Sequence, residues 1–328
     1  DNYNLAFIAI LILAFIIRVY YFTQTQNQPL WWDELSFGSI AKTNFFFPAV
    51  ESKLLSAELI IRPLALSFFW SALIKIGASE AMSRFILEII PSFMSVILVY
   101  MIGKEIYGKK IALMASLMLA VSWIHIFYSL RFLTSVPAFF FSLISIYFFF
   151  KAEDELKQKY FALSIFFLLL SVLFRYSFGI VGASYIIVLF VTQKLTFIKK
   201  KSFWLGGLIG FIPVVPLLLF NLIKNGSIFP AAGQYASSSG EKEAFAFYTL
   251  GFLKHILQNP FYLLFIFGAI MAIASLFLAF DVIKKSKKAK FNLFIIILLI
   301  ANLSFLIFYI KYAEDRYLIE SLISLIFL

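Results

Sequence analysis

The chain has no cysteine, which excludes disulfides and thiolate metal sites and leaves the redox compartment open. Only 2 histidines occur, and charged residues make up just 14% of the 328 positions. No glycine-rich loop of the kind that cradles a nucleotide phosphate is present. No stretch sustains the alternation of a barrel strand. What fills the chain instead is apolar: 62% of residues are hydrophobic, Phe alone occurs 43 times, and mean hydropathy is +0.96. A soluble core cannot absorb so much apolar surface, so the composition predicts an all-α polytopic membrane protein.

The formal net charge of +11 would suit nucleic acid, but its distribution does not. The lysines sit in short blocks between apolar runs, as loop anchors do. Spans are expected near 4–22, 85–102, 111–128, 136–150, 160–174, 177–193, 203–223, 261–283 and 291–311, with a last one starting at 317, about 10 transmembrane helices in all. They form a single transmembrane domain over residues 1–328, with no separate soluble domain apparent. The chain begins without Met and stops inside an apolar run, which leaves the completeness of either end open. At the far end of the first span, Arg18 is expected to snorkel beside Tyr20 and Tyr21.

The loops after 102, 150, 193 and 283 hold 15 Lys between them. They share one side of the membrane if these spans are right, and by the positive-inside rule that side is the cytoplasm; the first helix then runs outward only if the run Leu59 to Ile76 does not cross. Leu59 to Ile76 is therefore expected to lie along or dip into the outer leaflet. It would belong to a long outer-face first loop, residues 23–84, containing juxtamembrane helices. The alternative is an ordinary span with inverted topology. On the first reading Asp33, Glu34, Arg62, Arg84, Arg131, Arg175, Glu314, Asp315 and Arg316 all reach the outer face, whereas the inner face is nearly pure Lys.

Ionisable groups at membrane depth are functional candidates. Arginine offers a planar fork that grips phosphate and keeps its charge, and a carboxylate can take a proton from an attacking hydroxyl. Together they suit group transfer from a lipid-linked phosphate, with Trp31 and Trp32 as interfacial anchors holding the acidic pair at headgroup depth. Each residue also has a plainer reading. Arg84 could anchor a span, Arg131 could snorkel, Arg175 sits at a hairpin tip, and Arg316 could pair locally with Glu314 or Asp315. His125 reads as a hydrogen-bonded packing residue, and His255 has no evident partner. Metal binding is unspecified: two His without Cys make a weak set, and a carboxylate-held magnesium or manganese ion remains compatible. The stretch Gly233 to Glu243 reads as an outer loop, either lid or linker, and Ala244 to Gln258 as a second interfacial helix.

The ordered motifs resemble a family. They are Asp33-Glu34 after the first span, Arg62-Pro63-Leu64, the run Ser79-Glu80 to Arg84 followed by Pro91-Ser92, and the loop Gly103 to Gly108. After these come His125-Ile126-Phe127-Tyr128-Ser129 leading to Arg131, and finally Arg316-Tyr317-Leu318. In this order they are similar to the GT-C class of membrane glycosyltransferases that use polyprenyl-phosphate sugars, nearest to the protein O-mannosyltransferase and aminoarabinose-transferase-like superfamily. The resemblance implies a plasma-membrane enzyme with an extracytoplasmic site. Its donor would be a polyprenyl- or dolichyl-phosphate-linked sugar, and its acceptor a hydroxyl on a protein, lipid or glycan. It implies Asp33 as the base, with inversion, Glu34 in support, and donor-phosphate contacts from Arg62 first, then Arg84, Arg131 and Arg316. Two departures stand out: Leu64 where the family often has a second Pro, and Thr134 and Ser135 where many members carry an Asp. Membrane lipid is an expected partner and nucleic acid is not. The competing readings are a transporter or flippase for a lipid-linked sugar or anionic lipid, which would want charges deep in the spans (Glu88 is the main candidate) and internal repeats, and a non-catalytic subunit of a glycan-assembly complex.

Overall fold

The computed structural model describes residues 2–42, 62–152, 156–225, 286–308 and 315–328. Every described element is helical: α1 (Asn2–Thr25), α2 (Asp33–Lys42), α3 (Ala65–Lys75), α4 (Glu80–Tyr107), α5 (Lys109–Ala120), α6 (Trp123–Ser129), α7 (Ser135–Ala152), α8 (Gln158–Phe174), α9 (Gly179–Gln193), α10 (Lys201–Gly210), α11 (Val215–Asn225), α12 (Lys287–Phe308) and α13 (Leu322–Phe327), with short 3-10 turns between some of them. Among the described residues 6 helical segments are long and apolar enough to cross a membrane, or 7 if the bent α5–α6 pair is one span. The chain is thus a multi-pass membrane protein, with fewer than the expected ten spans among the described residues. The expected span 261–283, the loop 233–243 and the helix 244–258 lie outside the described residues. The run from 317 appears as the 3-10 turn Asp315–Ile319 and the six-residue α13.

Helix lengths follow local chemistry. Ser79 caps α4 by accepting the Met82 amide at 3.2 Å. Pro91 lacks an amide hydrogen, so the carbonyls a turn earlier lose their α-helical donor, and residues Phe85–Ile89 widen into a π turn. Gly108, at φ +90°, supplies the left-handed turn into α5 that a side chain would resist. The 11-residue α3 spans about 16 Å, roughly half a bilayer core of about 30 Å. That length suits an element that does not cross.

The expected span 111–128 is broken, with α6 leaving α5 at 53°. At the break lies Arg18, which does not snorkel. It is 0% exposed and donates to the Ala120 and Leu119 carbonyls at 3.1 and 3.4 Å. The orphan carbonyls at a helix end need donors where water is scarce, and Arg18 supplies them.

The core centres on α7. Phe149 stacks on Tyr185 at 3.9 Å, and small hydroxyls let the helices approach. Ser145 donates to the Ser164 carbonyl at 2.8 Å and Ser171 to the Ala138 carbonyl at 2.7 Å, which is how membrane helices pack in the absence of a hydrophobic drive between them. The C-terminal segment returns antiparallel along α12, with Ser321 beside Asn302, Ser324 beside the Ile295 carbonyl and Phe327 against Phe291.

Charge divides the molecule. At one end Lys287 pairs with Glu105 at 2.7 Å, Lys288 lies over Tyr107 and Lys109 over Tyr3. At the other end the arginines meet the acids. Because the chain has no cysteine, single cysteines report cleanly on this division. Cysteines at Lys109 and Lys288 are expected to be labelled by an impermeant maleimide from one side of the membrane, and a cysteine at Trp32 from the other. Labelling of all three from one side would overturn the arrangement.

Candidate functional site

The arginine end is built on a turn that starts α2. Trp32 takes φ +48°, an uncommon conformation for a bulky residue, and Asp33 opens the helix. Glu34 reaches back to accept the Trp31 amide at 2.8 Å, one half of a capping box. Adjacent helical residues point about 100° apart, so the two carboxylates diverge. Glu34 is 1% exposed, whereas the Asp33 side chain keeps 24% of its surface.

Glu34 is a clamp. Besides Trp31 it accepts from the Arg131 guanidinium and from the Phe132 amide, which tie α2 to the turn after α6. Arg131 also donates to the Gln28 side chain at 2.9 Å and lies 5.2 Å from the Trp31 ring. Arg84, also 1% exposed, donates to the Thr25 and Gln28 carbonyls at 3.3 and 3.5 Å and to Glu80 at 3.5 Å, and so pins the segment between α1 and α2.

Asp33 stands between two guanidiniums. Arg62 donates to Oδ1 at 2.7 Å, and Arg316 donates to Oδ2. Burial pushes the Asp33 carboxyl up, but the nearby Arg316 and Arg62 outweigh it and hold the group below its ordinary value of 3.8. Arg316 therefore pairs across the fold with Asp33; of its two expected local partners, Glu314 lies outside the described residues and Asp315 lines the same cavity as Arg316. Its segment is fixed by a second pair that the sequence did not single out. Arg175 donates to Glu320 at 2.9 Å and to Ser135 at 2.7 Å, and Ser177 donates to the same Glu320 oxygen. Arg175 also lies 4.7 Å from the Tyr317 ring.

Asp33, Glu34, Arg131 and Arg316 line one cavity of about 360 Å³, together with aromatic walls from Trp31, Trp32, Phe127 and Tyr128 and with Asp315 at its edge. Arg131 brings a buried Nε without a hydrogen-bond partner. Arg62 stands behind Asp33, and neither it nor Arg84 lines the cavity. The expected set is thus brought to one end of the molecule, with two of its four arginines on the cavity wall. The donors do not make an open metal site. The oxygens of Asp33 and Glu34 already face guanidiniums or amides, and no group of three or more His, Asp or Glu among the described residues is placed to hold an ion. His125 packs in the interior, its Nδ1 3.1 Å from Arg18.

These features define a multi-pass membrane protein with an acid-and-arginine cavity at one end. Residues 61–220 match the family described as dolichyl-phosphate-mannose-protein mannosyltransferase. The match spans just under half of the chain and supports a GT-C class membrane glycosyltransferase of the mannosyltransferase type. It takes in Arg62, Arg84, Arg131 and Arg175 and does not reach Asp33, Glu34 or Arg316. No curated protein and no solved structure matches the chain significantly.

The two carboxylates should fail differently. Glu34→Gln puts an amide where three donors converge, and should cost about 3 kcal/mol in thermal unfolding in detergent. Asp33→Asn should lower the melting temperature by only a few degrees. Because the Asp33 carboxyl is depressed in the folded state, its contribution is complete above the ordinary value of 3.8 and is lost as pH falls through the lower folded value. The melting difference between wild type and Asp33→Asn should therefore hold from neutral pH to about 5 and close only in stronger acid. A difference that closes between pH 7 and about 5 would contradict the assignment.

Proposed function

We propose that the protein transfers a sugar from a polyprenyl- or dolichyl-phosphate-linked donor to a hydroxyl acceptor at the extracytoplasmic face, with inversion and with Asp33 as general base. The observation that carries this reading is the placement of Asp33 on the same cavity wall as Arg131 and Arg316, beside the family match. The segregation of lysines to the opposite end supports an extracytoplasmic position for the cavity.

In the absence of donor, both oxygens of Asp33 accept from arginine. A donor phosphate entering the cavity meets Arg131 and Arg316 and competes with Asp33 for the latter. Loss of that partner restores proton affinity to the carboxylate as the phosphate arrives. Asp33 then takes the proton of the acceptor hydroxyl, the hydroxyl oxygen bonds to the anomeric carbon, and the bond from that carbon to the phosphate oxygen breaks. The electron pair leaves with the polyprenyl phosphate, whose growing charge the guanidiniums stabilise. Arg62 holds Asp33 in line throughout, and Arg84 acts as a brace. Glu34 supports the base by fixing the turn that carries it. The acceptor, whether protein, lipid or glycan, approaches along the aromatic wall.

Asp33→Asn tests the reading. The variant should lose at least about 10³-fold in transfer from a radiolabelled polyprenyl-phosphate sugar while binding polyprenyl phosphate at least as tightly as wild type, because Arg316 is released. An active variant would refute the base, and loss of phosphate binding would return Asp33 to a structural role. Arg316→Ala should instead weaken phosphate binding by about tenfold or more. A transporter or a non-catalytic subunit would show no transfer in the wild type either, and a non-catalytic subunit would keep its role in Asp33→Asn.

A further inference from the structure

The buried cation Arg18 takes no part in the chemistry above, yet it is 0% exposed and, among the described residues, has no carboxylate at salt-bridge distance. Desolvating a guanidinium without a counter-charge is costly even after relaxation. An apolar side chain would satisfy the spanning role of α1 without that cost. What Arg18 receives in return is local. Its Nε donates to Ser92 on α4 at 2.7 Å, Nη1 to the Ala120 carbonyl at 3.1 Å and Nη2 to the Leu119 carbonyl at 3.4 Å, while Nη2 also meets His125 Nδ1 on α6 at 3.1 Å. A fifth bond, 3.1 Å to the Ala14 carbonyl, keeps the side chain against its own helix. One guanidinium therefore joins α1, α4, the end of α5 and α6, and it places positive charge at the carbonyl end of α5, where a helix favours it.

That point is the 53° break. Eleven residues past Ala120 comes Arg131, and next to it the Phe132 amide, both bound by Glu34. The direction in which α6 leaves α5 decides where these two donors land. We propose that Arg18 is a positioning residue: it fixes the α5–α6 break from inside the bundle and so sets the position of Arg131 in the cavity, acting on transfer only through Arg131. The catalytic consequence rests on the function proposed above, whereas the geometric one does not.

Arg18→Lys keeps the charge and loses the fork that spans four elements. In wild type the Phe132 amide is held by Glu34, so hydrogen exchange of residues 130–134 in purified protein should be slow. In Arg18→Lys it should quicken by about tenfold or more while α7 and α8 remain protected. Transfer should fall about 10- to 100-fold, and adding Arg18→Lys to Arg131→Ala should cost less than about twofold further. Unchanged exchange at 130–134, exchange raised equally across all helices, or independent multiplication of the two losses would each overturn the proposal. If Arg18→Lys does not fold, Ser92→Ala removes one acceptor and leaves the charge, and it should quicken exchange at 130–134 to a smaller degree; no change there would overturn the proposal equally. Localised exchange in a protein that transfers no sugar from any polyprenyl-phosphate donor would uphold the positioning role and sink the proposed function instead.

Discussion

A carboxylate buried to 1% exposure inside a membrane protein must find donors from the chain itself, because at that burial water does not solvate it. Glu34 meets that demand with the Trp31 amide, the Arg131 guanidinium and the Phe132 amide. The three donors come from two places in the chain roughly a hundred positions apart. Satisfying one carboxylate thus forces the turn before α2 against the turn after α6. The rest of the arginine end depends on this contact, since it shapes the cavity floor and sends the neighbouring Asp33 outward. Neutral packing at position 34 would bury the same volume and fix neither turn.

Around that clamp the structure repeats one device, a buried guanidinium that collects backbone carbonyls. Arg84 gathers those of Thr25 and Gln28, and Arg18 those of Ala14, Leu119 and Ala120. Where helices break or end within a membrane, the freed carbonyls need donors that water would otherwise supply. Arginine has five donors on a rigid fork and suits this role better than lysine. The two residues differ from Arg62 and Arg316, which face a carboxylate. Composition alone does not separate these roles. They are distinguished by place as well as by partner: the braces lie buried against backbone carbonyls, although Arg84 also reaches Glu80, whereas Arg316 holds a carboxylate on the cavity wall.

This explains what the sequence disclosed and what it withheld. Apolar runs and lysine blocks made the membrane class and the two-ended charge division readable, because span length and loop charge are local properties. The pairing of Asp33 with Arg62 and Arg316 was foreshadowed only as convergence on one face. The break in the run 111–128 was not legible, since no Pro or Gly marks it and its cause is Arg18, about a hundred residues away in sequence. Arg18 itself looked like a snorkelling residue because its position near a span end is shared by buried and interfacial arginines alike. Glu320 was read as part of an apolar run, although an isolated acid in such a run was the available signal.

The same reasoning bears on how two neighbouring acids divide their work. A base must be reachable and must change its proton affinity during the cycle, whereas a clamp must do neither. Two of the three donors to Glu34 are backbone amides, so an anion that draws on Arg131 at the cavity wall still leaves this carboxylate held by the two turns. Asp33 is held by side chains at the cavity edge, of which Arg316 lies on the wall itself. An anion at that wall competes for Arg316 and leaves Asp33 with Arg62 alone. The pair can therefore share a sequence motif without sharing a function: the helical turn that separates their directions makes one carboxylate part of the scaffold and leaves the other responsive to what binds.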